Sequence, residues 1–267
     1  MSKKRFLPLA LGLVAALSLN ASPAHAGYTT PCDYEGFYVG LSGGVSYLLG
    51  TFERFSGFQQ LAIHRPIVFS HNSKTHTKGG IAGLTIGMSR LVDSLYLAVE
   101  ASGYLSEGKL PLPVEQISPH APGFAGFNGE VRINNGLFAV DFVPGFVLCD
   151  TFLLFGKIGV TGTRYRLQSD SFFNVEGLRT REFERLSVPL SKLKNKYALH
   201  LGLGLAHYIA DDFVLTVNYG YANFGNVIAS GFVGPFAEGI GTQTSTFKAR
   251  LRQETIMLGL NYYFHGF

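Results

Sequence analysis

Leu137-Phe-Ala-Val-Asp-Phe-Val-Pro-Gly-Phe-Val-Leu148 and Phe152-Leu-Leu-Phe-Gly-Lys-Ile-Gly-Val-Thr-Gly-Thr163 stand on either side of Cys149-Asp150-Thr151. Two apolar-rich arms around so short a break are a hairpin signal. In the first arm Phe138, Val140, Phe142, Phe146 and Leu148 share one face, and Leu137, Ala139, Asp141, Gly145 and Val147 the other. In the second, Phe152, Leu154, Ile158 and Val160 alternate with Leu153, Phe155, Lys157 and Thr161. Each arm has one wholly apolar face and one face with a single charge among mostly smaller residues. Each is long enough for a tilted strand to cross a bilayer. The hairpin therefore reads as one quarter of a closed transmembrane barrel.

Working outward, the N-terminus is set aside first. Lys3, Lys4 and Arg5, an apolar Phe6–Leu19 and the small-x-small site Ala24-His25-Ala26 make residues 1–26 a secretory signal peptide. Residues 27–35 follow as a periplasmic leader, and 36–267 as the barrel. No later run of eighteen apolar residues exists to form a membrane helix. Gly (33), Phe (23) and Tyr (13) are plentiful while charged residues make up only 15%. That balance suits an envelope β-protein better than a cytosolic enzyme, and the formal charge of +4 includes the basic start.

The alternating pattern predicts eight strands: 36–50, 79–90, 94–106, 137–148, 152–163, 197–208, 213–222 and a closing strand with Ile256, Leu258, Leu260, Tyr262 and Phe264 on one face. Three short turns alternate with four long stretches, 51–78, 107–130, 164–196 and 223–245, which read as loops. This gives an all-β, eight-stranded antiparallel up-and-down barrel with four long extracellular loops and short periplasmic turns. A calyx with a greasy interior is the structural rival. It would place the Gly- and Tyr-rich face in water.

Glu35-Gly-Phe-Tyr-Val-Gly-Leu-Ser-Gly-Gly-Val-Ser-Tyr47 resembles the first strand of the small outer-membrane β-barrel superfamily, which holds OmpA-type, OmpX-type and opacity-like barrels. Phe155–Val160 is similar to its fifth strand and Leu258–Phe264 to its closing strand. The resemblance implies the cell outer membrane and handling by the barrel-assembly machinery through the C-terminal strand, with either Phe264 or Phe267 as the signal. It implies a non-enzymatic surface barrel, envelope-structural or adhesin-like. A small porin-like channel is the alternative, and an interfacial lipid-modifying enzyme the third reading. No cofactor, metal or nucleic-acid partner is implied.

By parity Glu100, Asp141, Lys157 and His200 point into the lumen. They read either as a gate or as a polar network that fills the interior, and buried charges need partners. Arg65, Lys74 and Lys78 in the first loop, with Arg179, Arg181, Arg185, Lys192 and Lys194 in the third, are candidate contacts for lipopolysaccharide phosphates or host-surface glycans and proteins. Loop phenylalanines such as Phe52 would meet a partner or cap the barrel mouth. His200, His207 and His265 lack a serine suitably placed for nucleophilic catalysis, and the first-loop histidines lack metal-motif spacing. Cys32 and Cys149 both fall on the turn side. An intramolecular disulfide is expected, with an intermolecular cross-link or two free thiols as alternatives.

Overall fold

The computed structural model describes residues 34–59, 67–106, 108–117, 123–148, 151–176, 183–210, 212–233 and 242–264. The signal peptide, most of the leader, Cys32, Cys149 and the last three residues lie outside that set.

The described residues form nine strands: β1 (Gly36–Gln59), β2 (Ile67–Val92), β3 (Leu95–Ser106), β4 (Lys109–Ile117), β5 (Gly123–Leu148), β6 (Phe152–Glu176), β7 (Phe183–Ala210), β8 (Phe213–Val233) and β9 (Thr242–Phe264). All pair antiparallel, in the order β3-β2-β1-β9-β8-β7-β6-β5-β4, and β3 also pairs with β5. That pairing closes a ring of eight strand positions, and β4 follows β3 in one of them: it pairs with the same edge of β5 further out and in the same register, Tyr104↔Leu137 being followed by Lys109↔Arg132. Prolines 111 and 113 fall in β4, which among the described residues has a ladder to β5 alone, so a missing N–H is tolerated on its other edge.

A ladder row can be walked around the ring: Tyr38, Gly87, Glu100, Asp141, Gly159, His200, Ala222, Gln253 and then Leu48. It returns to β1 at Leu48, ten residues along from Tyr38. A stagger of that size over eight strands tilts them by about 40°. The apolar face is on the outside. Leu41, Leu84, Met88, Val99, Leu203 and Leu258 are 54–71% exposed, while Tyr38, Tyr96, Glu100 and Met257 are at most 5% exposed.

The structure corrects the loop reading. Large parts of the four stretches taken as loops are strand. β1 and β2 stay paired to Phe58↔Ile67, β6 and β7 to Glu176↔Phe183, and β8 and β9 to Val233↔Gln243. The physical reason is a change of surroundings along each strand. Below the transition lipid surrounds the barrel and apolar residues face out. Above it water does, and the apolar residues turn in. On β9 Ile256, Leu258 and Leu260 are outward, whereas Phe247, Ala249 and Leu251 are buried and Lys248, Arg250 and Arg252 take the outside. β6 does the same with Tyr165 and Leu167 inside and Arg164 and Arg166 outside.

Above the belt the ring divides. β7 and β8 pair only as far as His200↔Ala222, and β2 and β3 only as far as Ile81↔Ser106. One four-stranded sheet, β4-β5-β6-β7, then faces another, β8-β9-β1-β2. Between them lies an apolar core built from Leu110, Val131, Tyr165 and Leu167 on one side and Phe52, Phe224, Phe247 and Leu251 on the other. Phe52, placed by sequence in an exposed loop, is buried here and stacks on Phe247 at 5.5 Å. Tyr165 meets Phe224 edge-on at 5.3 Å across the seam. Lys196 Nζ also bridges the seam, donating to the Asn226 carbonyl.

Two outcomes check this arrangement. In a background with Cys32 and Cys149 replaced by Ser, spin labels at Leu201 and Leu258 should collide freely with oxygen dissolved in lipid, and a label at Met257 should not; the reverse pattern would turn the barrel inside out. The Tyr165 hydroxyl is buried with no partner among the described residues. Tyr165→Phe should therefore be neutral or stabilise by up to about 1 kcal/mol in urea unfolding.

Candidate functional site: the closed lumen

The interior is filled in three tiers. At the turn end five tyrosines make a floor. Tyr34, at the end of the leader, enters the lumen, is fully buried and donates its hydroxyl to the Thr151 carbonyl at 2.7 Å. It packs edge-on against Tyr208, with centroids 4.5 Å apart, and against Tyr96 at 6.2 Å. Tyr38 stacks on Tyr263 at 4.8 Å, and the Tyr96 and Tyr263 hydroxyls lie 3.3 Å apart. Ser89 fixes the entering chain by donating to the Tyr34 carbonyl at 2.7 Å.

Above the floor sit the charges. Glu100 accepts from Tyr38 Oη at 2.7 Å and from Lys157 Nζ on its other oxygen. Lys157 also lies over the Phe155 ring, 5.6 Å from its centroid, a geometry that favours a cation. Asp141 accepts from the Nδ1–H of His200 at 2.7 and 2.9 Å. All four residues are at most 8% exposed. Glu100, Asp141 and His200 share the ladder row described above, so the register itself puts them side by side. Two glycines of that row make the space. A Cβ at Gly87 would collide with the Tyr38 ring, and one at Gly159 with the Val140 carbonyl and the Asp141 carboxylate. Cavities of about 30 and 20 Å³ border this tier, room for single waters. Ser42 lines the first, and its buried hydroxyl has no protein partner among the described residues.

The third tier is the apolar core between the two sheets. Sequence reasoning missed it because its residues sit where the outward-apolar rule fails. It also missed the inward turn of Tyr34.

Among the basic residues proposed as loop contacts, Lys74, Lys78, Lys192 and Lys194 are exposed on strands, not loops. Arg185 is placed by its backbone alone, opposite Asn174. Arg65, Arg179 and Arg181 fall outside the described residues, as do both cysteines, Phe267 and His265. Arg250 and Arg252 are exposed on the same wall as Lys74 and Lys78, and sequence reading did not single them out. At the hairpin end Glu130 holds Arg132 and Lys109, the latter at 3.1 Å. Burial alone would raise its pKa, but the bonds from Arg132 and Lys109 outweigh this and hold the carboxyl below its usual range. His207 stacks on Phe152 at 4.3 Å and faces the Thr151 carbonyl at the turn end. No group of three metal-ligating side chains occurs among the described residues.

The ion pair makes a sharp prediction. Lys157→Met leaves the Glu100 carboxylate buried opposite an apolar chain and should cost about 3–5 kcal/mol, whereas Lys157→Met with Glu100→Gln should recover most of it. Unfolding in urea from lipid vesicles measures both. Equal losses in the single and double variants would show that the pair is not a unit.

Comparison with known proteins places this geometry. The family model for the outer membrane protein beta-barrel domain matches residues 12–264. No curated protein matches. Solved structures to which the chain is similar include Ail, the attachment invasion locus protein of Yersinia pestis, with 13% identity over 83% of this chain and 99% of that one, at a TM-score of 0.32. Neisserial surface protein A shows 10% identity over 86% and 98%, at 0.36. The outer membrane protease OmpT of Escherichia coli shows 11% identity over 90% and 99%, at 0.40. The chain belongs to the outer membrane protein β-barrel domain family, and it is an eight-stranded barrel of the outer membrane.

Proposed function

We propose that the protein is a non-enzymatic surface barrel of the envelope, a closed base in the lipid that carries strand-built hairpins outward. The observation behind this reading is the filled interior: a tyrosine floor, a paired charge layer and an apolar core lie in series along one axis. An eight-stranded ring is just wide enough for its own side chains, and here each tier brings large ones. A conducting path would have to displace all three. The Asp141–His200 pair supports the same reading, because it is sealed in the lumen and holds register there. An enzyme acting on lipid needs such a pair at the membrane interface.

The hairpins are what remains to meet the outside. Both Tyr34 and Phe264 lie at the turn end, so the long strands project from the opposite, extracellular face. Beyond Arg164 the β6–β7 ribbon runs on for about 40 Å of strand. Lys192 and Lys194 are exposed on it and suit acidic glycans or acidic protein surfaces. Phe264 ends the closing strand opposite Phe37, available to the assembly machinery as the chain is inserted.

In planar bilayers the purified protein should give no reproducible current steps, and Lys157→Ala should also stay silent because the tiers above and below remain. Steady wild-type conductance that changes in Lys157→Ala would replace this reading with a pore. Lipid A incubated with the protein should keep its acyl chains by mass spectrometry. Loss or transfer of a chain that His200→Asn abolishes would make it an enzyme.

A further inference from the structure

The turn end of the lumen holds a residue that no strand of the ring supplies. Tyr34 precedes β1 and is fully buried, while its neighbour Glu35 is exposed. β1 itself opens on Gly36, whose φ is +124°, a backbone conformation that glycine adopts freely and other residues do not. A Cβ there would also lie 2.8 Å from the Phe264 carbonyl oxygen. Glycine at this position thus lets the chain bend into β1 and still lie close against the last strand.

Where Tyr34 lands matters more than its burial. Phe37↔Phe264 begins the ladder that joins the first strand to the last. Ser89 on β2 and Tyr96 on β3 hold Tyr34 from one side of that ladder. Tyr263 on β9 and Tyr208 on β7 hold it from the other. The Thr151 carbonyl that accepts from its hydroxyl stands in the turn before β6, 117 residues away along the chain. No two neighbouring strands make this seat. A sheet with β1 and β9 still apart offers at most one half of it. Contacts between such distant parts of a chain form only after the entropy of closing the intervening loops has been lost.

We propose that Tyr34 is a latch that sets after the ring has closed. The leader swings in at Gly36, seats the phenol beneath the β1/β9 ladder and holds that ladder shut. It takes no part in bringing the two strands together. The rival is a template around which the strands gather, and the two differ in the rate they govern. A contact formed after the transition state slows unfolding and leaves folding untouched, whereas one formed before it speeds folding. The inference concerns how the barrel stays closed and is independent of what its hairpins meet.

The test uses the full chain, with Cys32 and Cys149 replaced by Ser, folded from urea into phosphatidylcholine vesicles and unfolded from them. Heat-modifiable gel mobility, sampled over time, gives both rates. Tyr34→Ala should unfold about a hundredfold faster and fold within about twofold of the unsubstituted rate. Tyr34→Phe keeps the ring, loses the bond to Thr151 and should unfold about fivefold faster. If Tyr34→Ala does not assemble, Tyr34→Phe alone gives the reading. Hydrogen exchange then shows where the latch acts: protection should fall most in the β1/β9 ladder at Phe37↔Phe264 and least in the β6/β7 ladder at Gly159↔His200. Folding slowed as much as unfolding is quickened would make Tyr34 a template and overturn the proposal. Unfolding unchanged in the folded variants, or protection lost evenly around the ring, overturns it as well.

Discussion

No water reaches the hydrocarbon core of a bilayer, so every backbone N–H and C=O that crosses it needs a partner on a neighbouring strand. The rest of this structure depends on that demand. It explains why β3, within the lipid, keeps a full ladder to β2 on one side and to β5 on the other. β4, which takes over β3's place beside β5 further out, carries prolines at 111 and 113 and has a ladder on that one side only. Beyond the lipid the demand lapses, because water satisfies exposed edges. There the same strands part at β7/β8 and at β2/β3. One set of strands thus forms a closed ring in one solvent and two facing sheets in another.

Closure fixes a register, and the register dictates the interior. Tyr38, Glu100, Asp141 and His200 share one ladder row, spaced by Gly87 and Gly159. The glycines let the Tyr38 phenol reach across a strand to Glu100 and let Asp141 sit against the backbone. Lys157 lies two residues from that row and reaches the same carboxylate. A one-residue slip of β3, β5 or β6 would put Glu100, Asp141 or Lys157 into lipid. The buried pairs therefore penalise wrong registers more than they stabilise the right one.

Much of this was legible before any coordinates. Asp141 and Lys157 each interrupt a face of otherwise uncharged residues within a strongly alternating strand, so parity alone points them inward. Glu100 and His200 follow from the same count. Their partners were not legible, because each pair crosses one intervening strand and depends on two successive registers, which one-dimensional alternation does not contain. The outer half of the fold was misread for a different reason. Alternation does not stop at Arg164 or Leu251. It changes sign, and a rule that sends apolar residues outward registers the change as disorder. In β8 a bulge at Gly225, where φ is +66°, also shifts the phase between Phe224 and Val227. A search for two phases on one strand, polar-in below and polar-out above, would have found Tyr165, Leu167, Phe247 and Leu251.

The sign change also locates the membrane boundary. On β2, β6 and β9 the first outward basic residues beyond the aliphatic belt are Lys78, Arg164 and Arg252. The tilt of the strands brings these three to about one height. Glu254, one outward position below Arg252, is the exception and lies beside Tyr47 in the register. Three strands far apart in the sequence turn polar at the same height, so the sign change follows the surroundings of the wall and not the composition of any one strand.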